Sequence, residues 1–324
     1  MGDWMNRRMV LWGSVLVVGA GLAAAYGLRR WRQGPGLPNP RAPVDGAALA
    51  AAQAPLTPPD GPMRVYHLGH SLVGRDMPAM LAQLAGHDHA SQLGWGTPLR
   101  AHWEDRVQIT GFDTENAHHH HRPAREALAS GDYDAVVVTE MVELRDAIRW
   151  HASPYYLAQW ARAAHQGNPR ARIYLYETWH RLDDPAGWLA RVDADLPDLW
   201  QGQVLQGALA WGAPPIHLIP GGQVLAAAVR AAESGALPGL TDRAQFFGRN
   251  PDGSPDQIHL GDTGNYLIAL VHYAVLYHRS PEGLPATVSR ADGTPVQIAP
   301  ETAEALQRLV WQVVRASPGT GVAA

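Results

Sequence analysis

Beginning at Arg64, short apolar runs alternate with longer stretches of helical period, and this alternation leaves few folds open to the chain. The runs Arg64 to Gly69, His89 to Trp95, Asp134 to Thr139, Ala171 to Glu177 and Pro215 to Pro220 are the candidate strands. Helices are expected over Met77 to Ala85, Ser153 to Gln166, Asp184 to Trp200, Gln223 to Ser234, Thr263 to His278 and Pro300 to Arg315. Such alternation is the pattern of an α/β domain with a parallel sheet. Five strands with intervening helices imply a flavodoxin-like, three-layer α/β/α sandwich around a mainly parallel five-stranded sheet, with function at the carboxyl ends of the strands. Asp292-Gly293 between two alternating runs predicts a late hairpin over Ala286 to Ile298.

Upstream of this domain, Met9 to Leu28 is an uncharged stretch of 20 residues. At 1.5 Å per residue it just crosses a hydrocarbon core about 30 Å thick, so it reads as a membrane span or a signal sequence. Arg7 and Arg8 supply a positive leading region, Ala23 to Ala25 an AxA-like cleavage site, and Arg29, Arg30 and Arg32 charge on the other flank. Arg7 to Leu11 is weakly like a twin-arginine signal, but an ordinary signal anchor accounts for the same residues. Residues 33–62 are rich in Pro, Ala and Gly and are expected to form an extended tether. The organisation is therefore a signal anchor over 1–32, a linker over 33–62 and one large domain over 63–318. The location it implies is the cell envelope, anchored in or exported across the inner membrane, with the domain on the periplasmic side.

Composition removes several chemistries. The chain has no cysteine, which excludes disulfides, thiolate metal sites, iron–sulfur clusters and cysteine nucleophiles. All 26 basic residues other than histidine are arginine. The absence of lysine excludes Schiff-base and pyridoxal phosphate chemistry, a P-loop lysine and a kinase catalytic lysine. A formal charge of −4 gives no basic footprint for nucleic acid.

Ser71 follows the first strand directly, with a helix a few residues later, so its hydroxyl sits at a strand-to-helix turn. A serine attacks a carbonyl only when a base takes its proton and amide donors receive the developing oxyanion, and helix-start turns supply such donors. Taken alone, the position equally describes a helix cap. Asp256 and His259 form a DxxH unit on a loop before the Thr263 helix, where both can face one site. The carboxylate can hold the imidazole while the imidazole serves as base to a serine.

Gly69-His70-Ser71-Leu72 after the first strand and Asp256 to His259 before a long helix together resemble the GDSL or SGNH hydrolase superfamily, over about Arg64 to Arg279. The resemblance implies an SGNH hydrolase-like fold and a serine esterase without a cofactor. Ser71 would be the nucleophile, His259 the base and Asp256 the residue orienting it. The Ser71 amide and a second-block glycine, Gly96 or alternatively Gly94, would form the oxyanion hole. An asparagine expected after the third strand is missing; Thr139-Glu140-Met141 stands there instead, and an ionised Glu140 has no hydrogen to donate. His70 replaces an aspartate beside the nucleophile. With Glu140, Trp179 and His180, it forms the set expected on the substrate face, where Trp179 or His180 could supply the missing donor.

His118 to His121 is read as a polar loop placed to serve as a lid, with metal binding the lesser alternative because adjacent residues point different ways. A metal site from Glu140, Glu177, His180 and His259 has no supporting spacing. Trp150, Trp160, Trp188, Trp200 and Trp211 are assigned to core or interface. The sequence reading is an esterase or acyltransferase acting on a small-molecule or glycan ester, with O-acyl groups of envelope glycans the substrate that the family analogy and the anchor suggest. Its rival is a catalytically weakened SGNH-like domain that binds a glycan or partner.

Overall fold

A computed structural model describes residues 37–323 of the chain. The expected span over Met9 to Leu28 lies outside these residues, and among the described ones no helix is long and apolar enough to cross a membrane.

Five strands build one parallel sheet: β1 (Arg64–His70), β2 (Asp88–Gly94), β3 (Ala135–Val138), β4 (Arg172–Glu177) and β5 (His217–Pro220). Their spatial order is β2-β1-β3-β4-β5, the flavodoxin-like order. Successive side chains on a strand point to opposite faces, and β1 sorts its residues accordingly. Val65 packs with the Asp76–Ala85, Gly221–Glu233, Asp262–Tyr277 and Pro300–Ala316 helices, whereas Tyr66 and Leu68 pack with the Ala124–Ala129 and Ser153–Gly167 helices. Both faces are thus covered, which completes the three-layer sandwich. The chain leaves β1 for β2 on one side and comes back to β3 on the other. The carboxyl end of β1 is therefore the topological switch point, where an open parallel sheet has its natural crevice.

Two small antiparallel pairs stand outside this sheet. One joins β6 (Phe247–Arg249) to β7 (Pro255–Leu260), the other β8 (Thr287–Ser289) to β9 (Pro295–Gln297). The second is the late hairpin expected from Asp292-Gly293. The first corrects an expectation, since the DxxH residues lie on β7 rather than in a loop. The strand is short, and its register with β6 shifts between Phe247 and Arg249, so its run has no clean alternation to read.

Two further expectations change. The helix expected from Asp184 begins at Trp188, because Asp184 spends its carboxylate on the Ala186 amide and on Arg191, and Gly187 holds φ +86. It then passes into π-helical turns over Leu196–Leu205, with Pro197 at the change; proline has no N–H to continue the ladder. The described part of the expected tether is not extended throughout. Gly46–Ala52 forms a helix capped by Asp45 and buries Leu49, Gln53 donates to Ile216 O at 2.9 Å, and Leu56 N to Gly321 O at 2.8 Å. An alanine-rich stretch with an aspartate ahead of it satisfies the helix-start rule that its prolines obscure.

Candidate active site

Ser71 stands one residue past β1. His70, the last residue of that strand, is buried, and its carbonyl accepts from Val73 N at 2.9 Å and Gly74 N at 3.4 Å, which curls the chain sharply behind the serine. The His70 ring fixes the same corner. Its Nδ1 accepts from Leu72 N at 3.3 Å, so Nε2 carries the proton and donates to Glu140 O at 2.8 Å. Burial pushes the His70 pKa down to about 4, against the opposing pull of that carbonyl. It is a neutral strut between the ends of β1 and β3 and does not face substrate.

The two distant blocks meet. His259 Nε2 lies 3.0 Å from Ser71 Oγ, and His259 Nδ1 lies 3.0 Å from Asp256 Oδ2. Both distances are within hydrogen-bond reach of a nucleophile–base–carboxylate relay. Asp256 Oδ1 also accepts the amides of Ile258 and His259, each at 2.8 Å. Burial alone would raise the Asp256 carboxyl, but those two amides and the His259 ring outweigh it and hold the group below the usual carboxylate range. Asp256 is thus an anion positioned to orient the imidazole and to balance its charge when protonated. The His259 side chain is 48% exposed, so the relay opens to solvent.

Trp179 and His180 do not line that opening, contrary to the expectation above. Trp179 is buried and donates Nε1–H to Ile258 O at 2.8 Å, and Leu182 N donates to Gln257 O at 2.7 Å. Both partners lie between Asp256 and His259, so the β4 exit loop clamps the relay arm. His180 is buried with Nε2 at 2.8 Å from Asp195. Asp195 also accepts from Arg191, which reaches Glu143 and Asp184 as well. Glu143, His180 and Asp184 present ligand atoms within 4.8 Å of one another, but the Arg191 guanidinium already supplies the cation of this cluster.

Glu140 is likewise turned inward and fully buried. Its Oε1 accepts from Leu99 N at 3.1 Å and Met141 N at 2.8 Å, tying the end of β3 to the turn after β2. Burial raises its pKa to about 7, while the Ser153 hydroxyl and those two amides pull the other way. Neither charge state puts a donor into the opening, so Glu140 does not replace the missing asparagine. Glu177 is buried beside the Gly221–Glu233 helix start, where it accepts from Gln223 N at 3.1 Å. Glu140, Glu177, His180 and His259 are therefore engaged on four separate sets of partners and do not converge as metal ligands.

Gly94 pairs with His70 across the sheet, and Gly96 lies two residues beyond it, exposed, at φ +52. The packing that demands a glycine is at Gly94, where a Cβ would come within 2.1 Å of Ile109 Cγ2 and 2.4 Å of Thr97 Oγ1. His118 to His121 runs beside the edge strand β2. Ser91 N donates to His120 O at 3.0 Å, and the His120 ring stacks on His89 at 4.0 Å. Sequence reasoning missed three buried supports. Asn116 brackets Leu93 through both its amide groups, and His102 Nε2 lies 2.9 Å from Gly69 O with Gln92 at its other nitrogen. No local motif marks these residues, because each role depends on a partner distant in sequence.

The fold is a three-layer α/β/α sandwich around a parallel five-stranded sheet, and the two sequence blocks that resemble the SGNH hydrolase superfamily meet at its carboxyl edge. No family model matches the chain, and no curated protein matches it. Among solved structures it is similar to a DUF4886 family protein from Bacteroides uniformis, at 17% identity and TM-score 0.49, over 78% of this chain and 94% of that one. It is also similar to a GDSL-like lipase from Parabacteroides merdae, at 13% identity and TM-score 0.41, over 67% and 96%. A family 3 carbohydrate esterase from Clostridium thermocellum aligns at 14% identity and TM-score 0.33, over 65% and 93%.

Proposed function

We propose that the protein is a serine ester hydrolase. The carrying observation is the Ser71–His259–Asp256 relay at the carboxyl edge of the sheet, each link 3.0 Å long. Ser71 Oγ attacks the ester carbonyl carbon as His259 Nε2 takes its proton. The tetrahedral oxyanion is received by the Ser71 amide and, in this reading, by the Gly96 amide. Collapse breaks the ester C–O bond, His259 returns the proton to the departing alcohol, and an acyl-serine is left. Water, giving its proton to His259, then attacks the acyl carbon; the bond to Ser71 Oγ breaks, His259 returns the proton to Oγ, and the acid is released. A sugar hydroxyl in place of water would make the same site an acyltransferase. If residues 1–32 anchor or export the chain, the site would work at the cell envelope, where O-acyl groups of glycans are the substrate suited to it.

One observation favours a weakened, binding-only domain: none of Glu140, Trp179 and His180 turns a donor to where the asparagine would stand, and loss of one such donor costs about 100- to 1000-fold in rate. The same experiment separates the two. A fluorophosphonate probe is expected to label the wild-type chain on Ser71, and 4-nitrophenyl acetate turnover is expected to fall at least about 1000-fold in both Ser71→Ala and His259→Ala. A wild type that takes no label and cleaves no ester would remove the hydrolase reading.

A further inference from the structure

Trp95 is the one large apolar side chain among the described residues left substantially exposed, at 48%. A scattered exposed hydrophobic residue normally needs no explanation; this one is held in place. Its Nε1–H donates to Glu115 Oε1 at 2.7 Å, its backbone N–H donates to Thr110 O at 2.8 Å, and its carbonyl accepts from Thr97 Oγ1 at 3.1 Å. One face of the indole lies on the Gly111 backbone. A Cβ at Gly111, whose φ is +70, would stand 2.3 to 2.6 Å from three indole atoms. The ring is thus pinned at its edge and backed by a glycine that leaves it no room to turn, so its exposure falls on the side away from Gly111.

Its place in the sheet gives this plate a use. β1 and β2 end in register with His70 opposite Gly94, so Ser71 and Trp95 are each the first residue beyond a paired strand end, on neighbouring strands that run about 4.8 Å apart. The alcohol portion of an ester attacked by Ser71 would leave past one flank of the serine, and Trp95 follows the strand that borders the β2 side. A flat apolar plate with a polar group at its rim, here Glu115, matches the C–H face and hydroxyl rim of a pyranose. A long acyl chain calls instead for an apolar groove.

We propose that Trp95 is the sugar-stacking platform of this site, receiving the pyranose whose hydroxyl carries the ester, so that the substrates are O-acylated glycans. The proposal rests on the ester-hydrolase reading and deepens it. Glu115 is a positioning residue, acting through the indole.

The test compares O-acetylated xylo-oligosaccharides with 4-nitrophenyl acetate on the full-length chain. Trp95→Ala is expected to lower the ratio of kcat/KM for the sugar ester over the aryl ester at least tenfold, chiefly through KM. Trp95→Phe should lower it about two- to threefold, and Gly111→Ala, which displaces the ring without removing it, should fall between. An unchanged ratio, or parallel loss on both esters, would overturn the platform. Saturation-transfer NMR with xylohexaose, cellohexaose and chitohexaose covers the case in which the wild type cleaves neither ester. Binding lost in Trp95→Ala would then sustain the platform while the hydrolase reading fails; no binding of any of the three by the wild type would overturn both.

Discussion

Glu140 and Glu177 are carboxyls that burial keeps partly protonated near neutrality, with pKa values raised to about 7 and about 8. In the unfolded chain each returns to the ordinary range near 4.5. Between those values the folded state binds more protons than the unfolded one, so stability falls as pH rises, and the loss is complete above about pH 7 for Glu140 and about pH 8 for Glu177. Glu140→Gln keeps an oxygen for the Leu99 and Met141 amides and cannot ionise. It is expected to stabilise the protein by about 1–3 kcal/mol at pH 8.5 and to change little at pH 5. Urea unfolding at the two pH values checks this; an equal effect at both would contradict the burial argument. The same residue marks where sequence reasoning ended. Glu140 was legible as the departure from the asparagine pattern, but its inward rotation depends on Leu99, forty-one positions away. Ser71, Asp256 and His259 were legible because each pattern is complete within a few residues.

Among the elements, the five strands were readable to within a residue or two because both faces of a parallel sheet need apolar cover, and that need is written along each run. The relay arm on β7 was not, since a six-residue strand paired to a three-residue partner has no alternating face. Gly69 illustrates how tightly the ends of β1 and β3 fit. A Cβ there would meet Thr139 Cγ2 at 2.6 Å and Val73 Cγ2 at 3.0 Å, while Thr139 Oγ1 is committed to Tyr176 O at 2.7 Å. Gly69→Ala is expected to destabilise by about 1–3 kcal/mol through overpacking. Thr139→Ser removes the clashing methyl and keeps the hydroxyl bond, so the double variant should recover about half of that loss. Strict additivity in thermal melts of the single and double variants would show that the two positions do not collide. Because Ser71 follows two residues later, the single variant should lower kcat as well.

Over the whole molecule, the proposed nucleophile and its proposed base belong to parts built differently. Ser71 is anchored at the end of β1, a strand buried along all but its first residue and paired on both sides. His259 rides on β7, where no residue is fully buried, and the arm is tied back through Trp179 and Leu182. Segments with few buried contacts open at lower free energy than the core. Heating should therefore silence any esterase turnover several degrees below the calorimetric transition, and Trp179→Phe should widen that gap by deleting one tie. Coincident inactivation and melting in both proteins would mean that the arm unfolds only with the sheet. A protein so assembled keeps its strength in one half and its switch-off in the other: mild warmth would disarm the relay without ruining the fold, and cooling would restore it.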